Sequence, residues 1–126
     1  MLSERQAVGR RAEKAAERFL KRRGMRLVAR NFSCPVGEVD LVFREGETYV
    51  FVEVRALGPG AAVSPRDTVG AKKRRRISRV ADAFLASQRL RDIDVRFDIV
   101  EVYLDERQRP RRIEHFPDAF GDRGEV

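Results

Sequence analysis

The chain has 126 residues, of which 42% are hydrophobic and 37% are charged, and its formal net charge is +7. One domain is expected, because two domains would each be too small to bury a stable core. The composition excludes collagen-like, strongly disordered and disulfide-framed proteins. No apolar run has the length of a membrane span, and Cys34 is the single cysteine, so we expect a cytoplasmic protein without membrane association.

The first predicted element is a helix over 3–23. Its apolar residues recur with the spacing of one helix face, Ser3 suits the N-cap, and Gly24 suits the C-terminal end. The order of elements is then helix, three strands, helix and two strands, which predicts a mixed α/β (α+β) sheet domain over residues 1–120 with a frayed tail over 121–126. Residues 57–67, rich in Gly and Pro, are predicted to be a loop. The remaining elements are predicted over 25–32, 37–44, 48–56, 68–89 (the second helix), 94–104 and 110–116.

Basic residues are concentrated in two parts of the chain. Residues 1–30 contain ten Lys and Arg but only three acidic residues. This distribution favours a polyanionic partner, most simply nucleic acid, over the alternative of two solvated helix faces. The second cluster, which we expect to contact nucleic acid, consists of Lys72, Lys73, Arg74, Arg75, Arg76 and Arg79.

Acidic residues alternate with apolar ones in the predicted hairpin over 37–56. Alternation places Val39, Leu41 and Phe43 on one strand face and the acidic residues on the other. A register that pairs Leu41 with Val50 makes Asp40 a diagonal neighbour of Glu53. Two carboxylates brought together repel each other unless one binds a proton or a cation lies between them, and Mg²⁺ or Mn²⁺ would suit such oxygen ligands. An ordinary polar strand face is the alternative.

Glu13 is a further candidate ligand from the first helix. It lies at the margin of the apolar stripe of that helix, from which its carboxylate would extend over the sheet. The alternative is an exposed glutamate paired with Lys14 or Arg10. His115 and Asp98 are predicted to be structural. Asp98 would form an ion pair with Arg96, and the alternative is that it approaches the acidic site from the fourth strand.

The order and spacing of five segments resemble the YraN-like family of bacterial proteins across residues 9–120. The segments are GRRAEKAAERFLKRRG, ARNFSCPVGEVDLV, YVFVEVR, KKRRRISRVADAFL and VRFDIVEV. Asp40 followed by Glu53-Val54-Arg55, after a helix with Glu13, is also similar to the PD-(D/E)xK nuclease pattern. The resemblance implies a restriction-endonuclease-like core, similar to Holliday junction resolvases, and metal-dependent hydrolysis of phosphodiester bonds in branched or structured DNA.

The resemblance also implies a role for each matching residue. Asp40, Glu53 and Glu13 would bind Mg²⁺ or Mn²⁺ with the carbonyl of Val54, and Glu38 would be a supporting carboxylate. Arg55 stands where the nuclease motif has lysine; it would stabilise the transition state but cannot act as a base. Lys72 or Lys73 would replace that lysine in space. A two-fold dimer is expected if the substrate is a symmetric junction.

Two alternatives to a nuclease follow from the sequence. The departure at Arg55 favours a catalytically degenerate module of the same fold that binds DNA or RNA. An adaptor whose basic helices contact an acidic protein is the second alternative.

Overall fold

Five strands form one mixed sheet with a helix packed on each face. The computed structural model describes residues 1–61 and 69–126. The elements are α1 (Glu4–Arg22), β1 (Arg26–Cys34), β2 (Gly37–Glu45), β3 (Thr48–Leu57), α2 (Ala71–Ser87), β4 (Val95–Leu104) and β5 (Pro110–Phe120). Their order confirms the predicted mixed α/β fold and the arrangement α-β-β-β-α-β-β. No helix in the described ranges combines the length and the apolar character needed to span a membrane.

The strands lie in the sheet in the order in which they occur in the chain. β3 and β4 are parallel, and the other three neighbouring pairs are antiparallel. The parallel pair is joined through α2, and the carboxyl ends of β3 and β4 therefore lie at the same end of the sheet. In open α/β sheets, ligands commonly bind at the carboxyl ends of the parallel strands.

α1 begins at a capping box and covers one face of the sheet. The Ser3 hydroxyl accepts a hydrogen bond from the Gln6 amide, and the Gln6 side chain accepts one from the Ser3 amide. Ala12, Ala16 and Leu20 are buried against a cluster of strand residues. That cluster consists of Leu41, Phe43, Val50, Val52, Val100, Val102 and Leu104, together with Met25.

α2 covers the opposite face, mainly over β1 and β2. Ile77, Val80 and Phe84 are buried there against Val42 and Phe51. Phe84 packs edge-on against Phe51 with ring centroids 5.7 Å apart. The two helices thus sandwich the sheet, and each strand contributes apolar residues to both faces.

The hairpin register differs from the predicted one by two residues. Leu41 pairs with Val52, not Val50, because β2 and β3 are joined by a tight turn at Gly46 and Glu47, which follows the Glu45–Thr48 pair. A shift of two residues does not by itself change the face on which a side chain lies.

Val39 departs from the predicted alternation. It packs on the α2 side, whereas Leu41 and Phe43 pack on the α1 side. Next to this point in β1, Asn31 has a left-handed backbone with φ of +48°, between the residues that pair with Leu41 and Val39. A residue in that conformation interrupts the pleat, so strict alternation does not hold here.

Residues 121–126, which the sequence predicts to be frayed, lie against α2. The buried Arg74 side chain donates hydrogen bonds to the Gly124 carbonyl (2.6 Å) and to the Val69 carbonyl (2.7 Å). The Ser78 hydroxyl donates to the Asp122 carbonyl. Of the predicted loop over 57–67, residues 62–67 lie outside the described residues, as does residue 68, where the second helix was predicted to begin.

Candidate active site

Asp40 and Glu53 form a pair of carboxyl groups between the two helices. Continuing the observed register beyond Leu41 and Val52 places them directly opposite each other, near enough for Glu53 to raise the pKa of Asp40. The Val54 amide also donates a 2.8 Å hydrogen bond to Asp40 Oδ2. Glu53 is only 3% exposed. The structure therefore brings together the two acidic residues that the hairpin pattern selects.

Burial changes the protonation of this pair. Burial first, and then the neighbouring carboxyl group of Glu53, raise the pKa of Asp40 to about 8, against the opposing effects of the Val54 amide and Lys73. Two buried carboxylates in contact are stable only with a proton or a cation between them. At neutral pH, without a bound cation, the pair therefore retains a proton.

Glu13 faces the same site from α1. Its Oε1 accepts a 3.0 Å hydrogen bond from Asn31 Nδ2. Burial raises the pKa of Glu13, and the neighbouring charges of Asp40 and Glu38 add to this, while the Asn31 hydrogen bond lowers it. Glu13 is thus held near the pair by Asn31, a residue that the sequence reasoning missed. The signal for Asn31 was available, since asparagine tolerates a left-handed backbone better than most residues.

The other predicted ligands differ in their placement. Glu38 is exposed at the start of β2, and Val54 contributes its amide to Asp40. Within residues 1–61 and 69–126, no three His, Cys, Asp or Glu side chains stand together in an arrangement ready to hold a metal ion. The site is accordingly a buried pair with Glu13 held to one side of it.

Lys73 supplies a positive charge directly at the pair. Its ammonium group, from the first turn of α2, forms an ion pair with Glu53. It also acts electrostatically on Asp40. Lys72, the other candidate for replacing the motif lysine, is exposed on the same turn. The structure therefore separates the two neighbouring lysines and places only Lys73 at the carboxylates.

Arg55 lies on the α2 side of β3. Glu53 on that strand contacts Lys73, whereas Val54 packs on the α1 side, so alternation places Arg55 with Glu53. The Arg55 Nε atom is buried and has no hydrogen-bond partner among the described residues. The same holds for Oε2 of Glu101, a fully buried carboxylate on β4 that the sequence reasoning did not single out.

The basic cluster of α2 divides into exposed and buried members. Arg74 does not belong to the exposed face, because its guanidinium is bound to backbone carbonyls. Arg76 is exposed at its head, while its stem lies over Gly37, where an added Cβ would be 2.9 Å from Arg76 Cδ. The exposed members are Lys72, Arg75, Arg76 and Arg79, and Lys73 is half-buried.

The fold and the site together define a mixed α/β protein with an acidic pair beside a basic helix N-terminus, close to the carboxyl ends of two parallel strands. The chain matches the model of the Uncharacterised protein family UPF0102 over residues 12–102. It belongs to that family, and the resemblance to YraN-like proteins is thereby confirmed.

Relatives are similar to this chain over nearly its whole length. A UPF0102 protein of Desulforapulum autotrophicum is 42% identical over 120 residues, which are 95% of this chain and 98% of the relative. One of Moorella thermoacetica is 38% identical and is covered completely. One of Anaeromyxobacter dehalogenans is 42% identical, with 88% of its length covered. The shared architecture therefore extends over the elements that form the site.

Proposed function

We propose that this protein binds nucleic acid, with DNA favoured, and hydrolyses its phosphodiester bonds with a divalent cation bound at Asp40 and Glu53. The observation that carries the proposal is the close approach of these two carboxyl groups, of which Glu53 is buried and forms an ion pair with Lys73. This arrangement is costly for stability, and groups with strongly shifted pKa values are concentrated at functional sites.

The donor set fits Mg²⁺ or Mn²⁺. These ions prefer carboxylate oxygens, and a cation would replace the proton that the pair otherwise retains. Glu13 would contribute from the side after leaving Asn31 or through a water molecule, and Glu38 and the Val54 carbonyl would be outer members of the site. A divalent cation bound there would polarise a phosphate oxygen and lower the pKa of a bound water.

Lys73 and Arg55 have separate roles in the proposal. The ammonium group of Lys73 already contacts Glu53, so Lys73 takes the place of the motif lysine and stabilises charge that develops on the phosphate. Arg55 remains protonated and donates hydrogen bonds to the phosphate without acting as a base.

The start of α2 supports a polyanionic substrate. The first turn of a helix is stabilised by acidic residues, yet the first turn of α2 contains none, and an unbroken run of five basic residues begins at its second residue, Lys72. Positive charge at a helix N-terminus opposes the helix dipole, whereas a bound phosphate would be attracted by both. We infer that the exposed members of this cluster contact the phosphate backbone of DNA.

Cleavage assays with matched variants test the proposal. Wild type is incubated with Mn²⁺ or Mg²⁺ and branched, flapped, single-stranded or duplex DNA. We expect metal-dependent cutting that Asp40→Asn and Glu53→Gln abolish. Lys73→Met should lower the cleavage rate by about 10²-fold or more, while the control Lys72→Met should only weaken binding. Equal loss in both lysine variants would contradict the role given to Lys73.

A DNA- or RNA-binding module without catalysis is the second candidate. It is favoured by Arg55 at the lysine position and by Glu13, whose carboxylate is hydrogen bonded to Asn31. Binding that is unaffected by Mn²⁺ and by Asp40→Asn, with no cleavage even in Arg55→Lys, would establish this module. Loss of all nucleic-acid binding at moderate salt would instead favour a protein-binding adaptor. In either case we expect the protein to act in the cytoplasm, and as a dimer on a symmetric substrate.

A further inference from the structure

A polar strip extends from Glu53 across the sheet on the α2 side. Val54, Val100, Val102 and Ile113 pack on the α1 side, so the residues that alternate with them face α2. The strip beyond Glu53 consists of Arg55 on β3, Glu101 and Tyr103 on β4, and Arg112 and Glu114 on β5.

Glu101 is the most deeply buried member of the strip. It has no exposed surface, and only its Oε1 has a partner, the Tyr103 hydroxyl at 3.0 Å. Burial and the Glu101 carboxylate both raise the pKa of Tyr103, so this hydroxyl keeps its proton and donates. The Oε2 atom of Glu101 has no partner among the described residues. A buried carboxylate with an unpaired oxygen is strongly unfavourable unless a cation or a donor compensates it.

A complementary group lies on the adjacent strand. Arg55 and Glu101 are paired across the parallel ladder of β3 and β4, and their side chains share a face. Arg55 Nε is itself buried without a partner in the described part of the chain. Paired residues of neighbouring strands lie about 5 Å apart, so the two side chains are within reach of each other.

We propose that Glu101 is a positioning residue that accepts the Nε–H of Arg55 and turns the terminal nitrogens of the guanidinium toward the crevice beside Glu53. With Nε occupied, the two terminal amino groups remain free to donate a bidentate pair of hydrogen bonds to a phosphate. The consequence for phosphate binding rests on the proposed function, whereas the Arg55–Glu101 contact itself does not.

Arginine side-chain NMR tests the contact without any activity. In wild type we expect the Arg55 Nε–H to exchange with solvent about tenfold more slowly than that of the exposed Arg112, because it is buried and hydrogen bonded. Glu101→Gln should remove this protection. Glu114→Gln, which changes a carboxylate on the same face and opposite Glu101, is the matched control and should leave it intact. Fast exchange in wild type, or equal loss in both variants, would overturn the proposal.

Binding to a short DNA duplex at moderate salt tests the consequence. Glu101→Gln and Arg55→Lys should each weaken affinity about tenfold, and the double variant should be no weaker than either, because both changes remove one positioned group. Additive losses would overturn the positioning role. If wild type binds no DNA, the proposed function fails, and the exchange measurement still decides whether Glu101 holds Arg55.

Discussion

At the scale of single residues, the site brings several opposing electrostatic interactions close together. Asp40 and Glu53 repel each other, the Val54 amide and Lys73 reduce the repulsion, and Asn31 holds Glu13 nearby. Such an arrangement is destabilising for the fold and is typical of sites that bind a cation or perform proton transfer.

Asp40→Asn should stabilise the protein at high pH in the absence of divalent cations. Because the pKa of Asp40 is raised from 3.8 to about 8, the folded protein holds a proton that the unfolded chain releases. The free energy of unfolding of wild type therefore falls as pH rises between these two values. At about pH 8 we expect the variant to be about 1–2 kcal/mol more stable than wild type, with little difference near pH 4.

Urea denaturation of wild type and Asp40→Asn, with a chelator present, measures this difference in the free energy of unfolding. Glu38→Gln, at an exposed carboxylate in the same hairpin, is the control and should change little. A wild type that becomes more stable relative to Asp40→Asn as pH rises would contradict the argument.

At the scale of elements, ion pairs and hydrogen bonds attach the helices to neighbouring segments of the fold. Glu17 of α1 accepts two hydrogen bonds from Arg30 of β1, at 2.7 and 2.9 Å, and one from Lys21. Arg74 of α2 binds the segment that follows β5. These contacts add to the apolar packing that orients each helix on the sheet.

Glu17→Gln should weaken the attachment of α1 to β1 in a pH-dependent way. The hydrogen bond from Arg30 lowers the pKa of Glu17 to about 2 from an ordinary value of 4.5. The contribution is therefore complete above about pH 4.5 and is lost as pH falls toward 2. We expect a loss of about 1 kcal/mol at neutral pH, since the partner arginine is largely exposed. In thermal unfolding, the stabilities of wild type and Glu17→Gln should converge in acid. The exposed Glu47→Gln is the control.

Arg74→Gln should affect stability and leave nucleic-acid binding largely unchanged. Removing the guanidinium leaves the Gly124 and Val69 carbonyls without their donor, which we expect to cost about 1–3 kcal/mol. Lys72→Gln should do the opposite, leaving stability unchanged and lowering the slope of log affinity against log salt by about 1. Denaturation and salt titrations on both variants check this, and a reduced slope for Arg74→Gln would show that its charge contacts DNA.

At the scale of the whole molecule, a buried network joins three strands and α1 at the end of the sheet where β4 begins. Asp98 is fully buried and accepts hydrogen bonds from Arg96, His115 and the Asp118 amide. Burial acts to raise the pKa of Asp98, but the hydrogen bonds from His115 and Arg96 outweigh it and hold the pKa below its usual range. Arg96 also contacts Glu45 at the end of β2. The predicted ion pair between Asp98 and Arg96 is confirmed.

Asp98→Ala should be among the most destabilising single changes in the chain. It leaves the buried His115 and the Asp118 amide without their acceptor and removes the buried partner of Arg96, for which we expect a loss of about 3–5 kcal/mol. Glu45→Gln, at the exposed end of the same network, should lose about 1 kcal/mol or less. Urea denaturation of the two variants gives the comparison, and similar losses would show that burial at Asp98 contributes little.

Local sequence by itself determined the elements, their order and the residues most suited to chemistry. Periodicity and turn residues are local properties, so α1, the hairpin and β4 lie within a few residues of their predicted bounds. The hairpin pattern also selected Asp40 and Glu53. A shift of the register by two residues does not change this selection, because both side chains remain on the same face of the sheet.

Only the tertiary structure decided how residues distant in the chain meet. Whether Lys72 or Lys73 faces Glu53 depends on the rotation of α2 over the sheet, which is set by packing of its whole apolar face and not by the basic run. Arg74 is indistinguishable from its neighbours in sequence, yet it is buried because residues 121–126 fold back onto it. In the sequence, Glu101 is one acidic residue in an alternating strand. Its position beside Arg55 follows from the parallel pairing of β3 with β4, a contact between residues 46 positions apart. Such long-range contacts depend on the free energy of the complete fold, which no local pattern encodes.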